Sequence, residues 1–364
     1  MIRIIRSKNF AIAVGAALVV LFAILPLINV SVPGVLPGPT YLPGTLQLLA
    51  LALLFAALAL SYHVMFGVAG LLSFGHALYF GFGAYGLGIL LQHTSLALLP
   101  AAAIVLVAAV VVALALGSVS LRVGGIAFAM VTLAFAQAGS VLIRRNSGVT
   151  GGEEGLPLAI ANVPDSLVGV LNTRNLYWIA LALLVVVFLG VGLFERSRAG
   201  HVVAAVRENE LRVRVIGLKP FTVKLIAFVI ASTLAAAVGM VYLLLQSGTT
   251  PAIISADFTL TILVIVVLGG VGSRWGAVVG GVVYTLLDQR LAALASSDAV
   301  RDLPDVLRIP LSQPLFILGT LFILVVLFLP GGLAGIGRSG ARALDRRRPA
   351  PAPSAPPKTG ERTP

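Results

Sequence analysis

The side chains that could do chemistry are few in this sequence and lie far apart. The 364 residues include four histidines, His63, His76, His93 and His201, and no cysteine. The histidines have no carboxylates at the spacing of a metal site, and no nucleophile can be paired with a base. The lack of cysteine excludes thiolate sites and disulfides. The sequence therefore predicts a protein that is not an enzyme and has no cofactor of its own.

His76 lies in the most unusual stretch of the sequence, residues 67–86, which is apolar enough for a bilayer yet contains six glycines. Glycine destabilises helices, so this density predicts a broken or closely packed helix. Irregular backbone at membrane depth survives only where it is buried in protein or lines a water-filled cavity. The pattern is typical of a transport pathway. Its candidate pathway residues are Ser73, Gly75, His76 and Gly81.

Two interpretations of His76 and Ser73 remain open at this stage. Ionisable groups inside a membrane are costly and often functional, which favours a pathway role. A neutral histidine held by a backbone carbonyl is also a good structural solution, and a helix serine can bond back to its own turn. A broken helix could in addition present its N-terminal amides to a substrate carboxylate.

The composition indicates a membrane protein. The chain is 59% hydrophobic and 10% charged, with a mean hydropathy of +1.06, whereas a soluble domain carries roughly 25% charged residues. Most of its surface must therefore face lipid or other apolar protein. The pI of about 10.8 could suggest nucleic acid, but the basic residues lie between apolar segments and at the chain ends. Such charge is a topology signal, and no nucleic-acid partner is expected.

Apolar segments of about 20 residues cross a bilayer as helices, and we predict about ten such spans. Eight are Phe10–Val30, Leu46–Tyr62, Leu78–Leu91, Leu96–Val119, Gly125–Ile143, Tyr177–Leu193, Phe221–Leu245 and Leu315–Leu329. Residues 260–287 are too long for one span and break at the glycines of residues 268–276, so they provide two more. The predicted fold is all-α and polytopic, with at least one broken or re-entrant segment.

Three basic segments orient these spans. Residues 1–9, 195–224 and 338–364 carry net charges of +3, +4 and +5, which together equal the +12 of the whole chain. Because basic residues favour the cytoplasm, all three segments are predicted to be cytoplasmic, and a count of ten spans agrees. Residues 1–9 then form a cytoplasmic N-terminus, 10–335 the transmembrane domain, and 336–364 a disordered cytoplasmic tail. The largest external loop is 144–174.

The cytoplasmic loop, residues 195–220, contains an amphipathic pattern. Its apolar residues recur at helical spacing: Val202, Val206, Val213 and Ile216. The pattern predicts one short helix over 201–217, supported by Glu210 four residues before Arg214 and ended by Gly217. Such a helix is either solvated or interfacial, or it docks into a groove of a partner protein.

Small residues also recur at every fourth position in two helices. These are Ala231, Ala235 and Gly239 in one, and Gly272, Gly276 and Gly280 in the other. Small residues let membrane helices approach closely. Ordinary packing inside the chain and contact with a second subunit both fit this pattern, so the six are candidates for subunit packing.

Four stretches resemble a known family when they are taken together and in order. They are residues 70–85, 150–156, 204–232 and 267–281. They are similar to the LivM-like permease subunits of bacterial ABC importers for branched-chain amino acids, and the likeness runs from about residue 46 to 335. In this family, ATP is hydrolysed by separate chains, and this sequence contains no Gly-x-x-x-x-Gly-Lys-Ser/Thr loop of its own.

The resemblance implies the partners and a site. The partners are a second, LivH-like permease subunit, two ABC ATPase subunits and an extracytoplasmic substrate-binding protein, at a bacterial inner membrane. Residues 204–217 would be the segment that contacts an ATPase subunit and couples it to transport. Its candidate coupling residues are Arg207, Glu208, Glu210 and Gly217.

Other functions remain as alternatives. Relatives of this kind also carry urea, amides or other amino acids. An ion-coupled secondary transporter would keep acidic residues in the middle of its spans, whereas Asp257 and Asp288 lie at predicted span ends. An intramembrane enzyme would need a convergent catalytic pair within the spans, where only His76 is available.

Overall fold

The computed structural model describes residues 8–31, 36–295, 313–328 and 331–335, and this part of the chain is almost entirely helical. The first helices are α1 (Lys8–Ile24), α2 (Pro43–Tyr62), α3 (His76–His93), α4 (Leu98–Ser120), α5 (Ile126–Arg145) and α6 (Thr173–Arg196). They are followed by α7 (Arg198–Glu208), α8 (Glu210–Val215), α9 (Pro220–Gln246), α10 (Ala256–Gly269), α11 (Arg274–Ala295) and α12 (Pro314–Phe328). Residues 1–7, 296–312 and 336–364, including the predicted tail, lie outside the described ranges.

Five helical segments are long and apolar enough to cross a membrane. They are Pro43–Val68, Leu98–Ser120, Ile126–Arg145, Val170–Arg196 and Pro220–Gln246. A sixth candidate is the pair α10 and α11, which is bent by 118° at the predicted glycine break. The polytopic, helical fold with a broken segment is thus confirmed. Each of the ten predicted spans coincides with a helix, but the number of crossings stays a prediction.

A second break separates α2 from α3. The end of α2 widens into a π-helical turn, His63–Val68, and residues 69–75 are not helical before α3 starts at His76. Ser73 and Gly75 are buried within this break. The glycine-rich stretch therefore contains the broken helix that its composition predicted, and other parts of the chain cover most of the irregular backbone.

The core forms where small residues let helices touch. A side-chain carbon at Gly83 of α3 would overlap the backbone of Ala236 in α9, and one at Gly239 would overlap the carbonyl of Phe80. These two helices therefore cross backbone against backbone, and only glycine fits at the contact. Aromatic rings fill the space around the crossing, with Phe80 and Tyr242 in edge-to-face contact at 5.2 Å.

Five of the six candidate subunit-packing residues belong to this internal packing. Ala231 and Ala235 are fully buried in the chain, and Gly239 lies on α3. Gly276 and Gly280 pack against the backbone of α10 and close the bent pair. Only Gly272, in the bend itself, is exposed. Packing inside the chain accounts for the burial of these five residues, and contact of this region with a second subunit stays a prediction.

Specific backbone contacts explain how the bend forms and how the loop 144–174 is attached. Ser255 caps α10 by accepting a hydrogen bond from the Phe258 amide at 3.2 Å, and Gly270, with φ of 111°, ends that helix in a backbone conformation that favours glycine. The loop 144–174 is tied to the end of α9 by a short antiparallel ladder of β1 (Leu156–Pro157) and β2 (Gly248–Thr249).

One predicted position needs correction. Asp288 does not follow its span, because α11 continues to Ala295 and places Asp288 inside the helix. Asp257 lies in the first turn of α10, as predicted.

Candidate functional site

Polar side chains gather in two clusters next to the break between α2 and α3. The first surrounds His76 at the start of α3. The second joins the π-helical turn to residues 195–220 and to the start of α11.

His76 is fully buried and bonded to α2. Its Nε2 lies 2.8 Å from Ser61 Oγ, and the Ser61 hydroxyl donates to the carbonyl of Leu58 at 2.6 Å. Because the hydroxyl proton is used there, Ser61 accepts from His76, whose proton must be on Nε2. Nδ1 has no partner within the described residues. The ring packs edge-on against Tyr62, whose hydroxyl donates to the carbonyl of Ser73 at 3.0 Å.

The backbone amides at the start of α3 already have acceptors. Phe74 N donates to Thr132 Oγ1 at 3.1 Å, and Ala77 N donates to Thr259 Oγ1 at 3.2 Å. Gly75 N donates to Ser73 Oγ at 3.2 Å. In this conformation, hydroxyls from α5, from α10 and from the break itself occupy the donors that were expected to hold a substrate carboxylate.

All four candidate pathway residues are buried in this conformation. Ser73 and His76 have no exposed surface. Gly75 lies against the backbone of Thr132, and Gly81 lies against the side chain of Ile254. The structure brings the four together around the break, where each is in contact with a neighbouring helix. Their role in a pathway stays a prediction.

The loop 195–220 is not the single helix that its periodicity predicted. It forms two helices, α7 and α8, because Asn209 adopts extended backbone angles (φ −158°, ψ 99°) between them. The Asn209 side chain accepts from the Arg212 amide at 2.9 Å and caps α8. Asparagine directly before a helical run of acidic and apolar residues is an N-cap signal. This signal could have located the break in the sequence.

The charged coupling candidates mostly bind within the chain. Arg207 donates to the carbonyl of Gly67 in the π-helical turn, and its aliphatic part lies against Gly70. Glu210 accepts from Lys224 Nζ and from Arg214 Nη2, each at 2.5 Å. The hydrogen bond from Lys224 holds the pKa of the Glu210 carboxyl below its ordinary value.

The other two coupling candidates, Glu208 and Gly217, have different surroundings from Arg207 and Glu210. Glu208 is exposed and has no ion-pair partner among the described side chains. Gly217 ends α8 with φ of 84°, where its amide bonds to the carbonyl of Arg214 at 2.9 Å. This is the helix end that the sequence predicted.

Three large apolar side chains are exposed on α8 and the residue after it, beside exposed Arg212 and Arg214, which the sequence pattern did not predict. Leu211 is 71% exposed, Val215 79% and Ile216 69%. The sequence placed Ile216 on one apolar face with Val202, Val206 and Val213, but the break at Asn209 divides that face, and Val203, Val206 and Val213 are the buried residues. We call Leu211, Val215 and Ile216 the apolar patch.

Glu195, at the end of α6, forms the centre of the second cluster. Its Oε1 is 2.9 Å from His63 Nε2, and its Oε2 is 2.8 Å from Arg274 Nε. A cleft of about 530 Å³ lies beside this group, and Arg207 and Glu208 also line it. Sequence reasoning missed this site because His63, Glu195 and Arg274 lie far apart in the chain and share no motif.

Comparison with known proteins gives consistent matches. Residues 44–326 match the family described as branched-chain amino acid transport system / permease component. The high-affinity branched-chain amino acid transport system permease protein LivM of Escherichia coli (strain K12) is 26% identical over 321 residues, which cover 81% of this chain and 71% of that protein. LivM of Salmonella typhimurium (strain LT2) is 27% identical over 324 residues, with the same coverage. No solved structure matches.

Proposed function

The chain belongs to the family of branched-chain amino acid transport permease components, and we propose that it imports branched-chain amino acids as a subunit of an ATP-driven importer. Two similar proteins carry this substrate in their names. In our proposal, a LivH-like second permease completes the pathway and an external binding protein delivers the substrate. Two ABC ATPase subunits, outside this chain, hydrolyse ATP.

The observation that carries the coupling role is the arrangement of α7 and α8. Their charged residues Arg207 and Glu210 fasten them to the π-helical turn and to α9, while the apolar patch points away from the rest of the chain. Three large apolar side chains exposed within six residues are suited to burial by a partner, and a helix face in a groove is a common docking mode. We propose that the patch contacts an ATPase subunit.

The same arrangement provides a mechanism. When the ATPase subunits close on ATP, they push α7 and α8. Because Arg207 and Glu210 tie these helices to the end of α2 and to α9, the neighbouring spans tilt with them. This is rigid-body gating, in which the charged residues transmit the movement and the apolar patch receives it. Arg207 and Glu210 then act inside the chain, whereas exposed Glu208 reaches the partner.

Purification and reconstitution test this function. The tagged chain is extracted from its own membranes, and co-purifying chains are identified by mass spectrometry. We expect one second permease and two ATPase subunits with a phosphate-binding loop for each copy of this chain. In proteoliposomes with the binding protein, leucine uptake should require ATP. Uptake by the isolated chain, driven by a proton or sodium gradient without ATP, would establish a secondary transporter instead. ATP-driven uptake of urea or an amide, and not leucine, would correct the substrate.

The orientation is also part of the proposal: ten crossings, with both chain ends and α7–α8 in the cytoplasm of a bacterium. Because the chain has no cysteine, single cysteines can report their side of the membrane. Glu208→Cys should react with an impermeant maleimide only in inside-out vesicles, and Asp165→Cys only in right-side-out vesicles. Labelling of residue 208 from the outside would overturn the coupling mechanism.

A further inference from the structure

Three helices that are distant in the sequence meet at Glu195. The carboxylate lies at the end of α6 and uses one oxygen for His63, at the end of α2, and the other for Arg274, at the start of α11. His63 is 1% exposed, and the other two side chains are about one-quarter exposed. Charge-assisted bonds in such a setting are short and directional, and separating their partners leaves a desolvated charge. The three side chains therefore move together more readily than they separate.

Arg274 is fixed by more than its ion pair. Its guanidinium lies 5.3 Å from the ring centre of Phe188 in a cation–π contact, and the ring of Phe188 lies 4.9 Å from that of Trp275 at a tilt of 54°. A side-chain carbon at Gly192 would collide with Nη1 of Arg274. Arg274 is the first residue of α11, directly after the glycine bend. The position of its side chain therefore fixes where α11 starts.

The His63 side of the group leads to α7. His63 Nε2 faces the ionised carboxylate, which can only accept, so the ring carries its proton on Nε2. Four residues later in the same π-helical turn, the carbonyl of Gly67 accepts from Arg207 of α7. Two consecutive polar contacts, joined by one rigid turn of backbone, thus connect α7 to Glu195 and then to α11.

We propose that His63, Glu195 and Arg274 form a clamp that passes the movement of α7 and α8 to the bent pair of α10 and α11. Glu195 is a positioning residue: it acts through Arg274 and does not touch the transported molecule. The clamp rests on the proposed function, since it needs an ATPase that moves α7 and α8. In this proposal the bend is the element that changes position, as such coupling requires.

The test measures coupling, which loss of folding alone would not change. In proteoliposomes of the whole complex, leucine taken up and ATP hydrolysed are recorded together. Glu195→Gln keeps the shape and removes the charge, so we expect about tenfold fewer leucines per ATP, the factor that corresponds to one lost charge-assisted hydrogen bond. Glu195→Asp should recover part of the ratio. Asp165→Asn, the same chemical change at an exposed loop position, should leave it unchanged.

A double-mutant cycle tests whether Glu195 and Arg274 act as a pair. Arg274→Gln should lower the ratio as Glu195→Gln does, and the double variant should be no worse than either single variant. Additive losses would show that the two residues act separately and would overturn the clamp. If the Gln variants fail to assemble, Arg274→Lys retains the charge but loses the planar contacts, and an unchanged ratio in that variant overturns the proposal as well.

The outcomes separate the clamp from the proposed function. If the unmodified complex shows no ATP-dependent uptake, the proposed function fails and the clamp with it. If the unmodified complex is ATP-driven and Glu195→Gln retains the full leucine-to-ATP ratio, the function stands and only the clamp is wrong.

Discussion

The clusters at His76 and at Glu195 both lie next to the break between α2 and α3, and they differ in how their polar groups are bonded. Around His76, hydroxyls and backbone groups form the bonds, and both Ser61 and His76 have no exposed surface. Around Glu195, the carboxylate is bonded by His63 and Arg274, and Glu195 and Arg274 are partly exposed. The first cluster joins neighbouring parts of one core, and the second joins three helix ends.

This difference indicates different tasks. The buried hydrogen bonds of Ser61, Tyr62 and His76 fix the start of α3 against α2, which suits a region that must keep its shape. A charged network that joins three helix ends holds those ends together, because separating the partners leaves an unpaired charge. We infer that the His76 cluster is the static side of this junction and the Glu195 cluster its movable side. The predictions below test that division, beginning with the largest expected effect.

The largest effect should come from the apolar patch. The double substitution Leu211→Glu with Val215→Glu places two charges where the proposed ATPase surface would cover them, and buried unpaired charges cost several kcal/mol. We expect the affinity of the ATPase subunits for the permease to fall by at least about a hundredfold, so that they are lost from the purified complex. The measurement is the yield of ATPase chains bound to the tagged permease. Leu171→Glu is the matched control, because Leu171 is 93% exposed in the loop 144–174 and should retain the ATPase.

The second effect concerns the static side of the junction. His76→Ala leaves the Ser61 hydroxyl without its donor and opens a cavity beside Tyr62, so we expect destabilisation of about 2–4 kcal/mol. The melting temperature of the purified complex should fall, together with its amount in the membrane. His93→Ala, at the exposed end of α3, should change neither. Normal stability with abolished uptake would instead support the pathway role of His76.

These two regions also show what a sequence reveals. The spans were predictable because apolar composition and length are local properties, and the break at residues 69–75 followed from glycine density. The division of 201–217 into α7 and α8 was missed because the apolar spacing is the same on both sides of Asn209, although its capping character was visible. The contacts of Glu195 could not be predicted, since nothing in the local pattern of His63 or Arg274 specifies a partner in another helix.

The third effect tests the charged anchors of the movable side. Charge reversal by Glu208→Lys with Glu210→Lys replaces the attraction of Glu210 for Lys224 and Arg214 by repulsion and changes the exposed charge at residue 208. We expect ATP hydrolysis to continue while leucine uptake falls several-fold, since a like-charge contact costs about as much as the lost pair gained. Uptake and hydrolysis are measured in the same vesicles. Normal transport in this variant would argue strongly against a coupling role for α7 and α8.

The smallest effect is a pH dependence of the Glu210 anchor. The hydrogen bond from Lys224 lowers the pKa of the Glu210 carboxyl from its ordinary value of 4.5. A lowered pKa in the folded state means that the contribution to stability is complete above about pH 4.5 and is lost as the pH falls through the folded value. At neutral pH the anchor is therefore intact, and acidification below that window should weaken it.

Glu210→Gln isolates this contribution. The melting temperature of the unmodified complex should decline more steeply with falling pH, below about pH 4.5, than that of the variant. The effect is small because Glu210 is 36% exposed and water screens its pairs. Parallel pH profiles for the two proteins would show that Lys224 does not hold Glu210 in this way. The attachment of α8 would then depend on the buried side chain of Val213, and the movable side of the junction would be held by packing, like the static side.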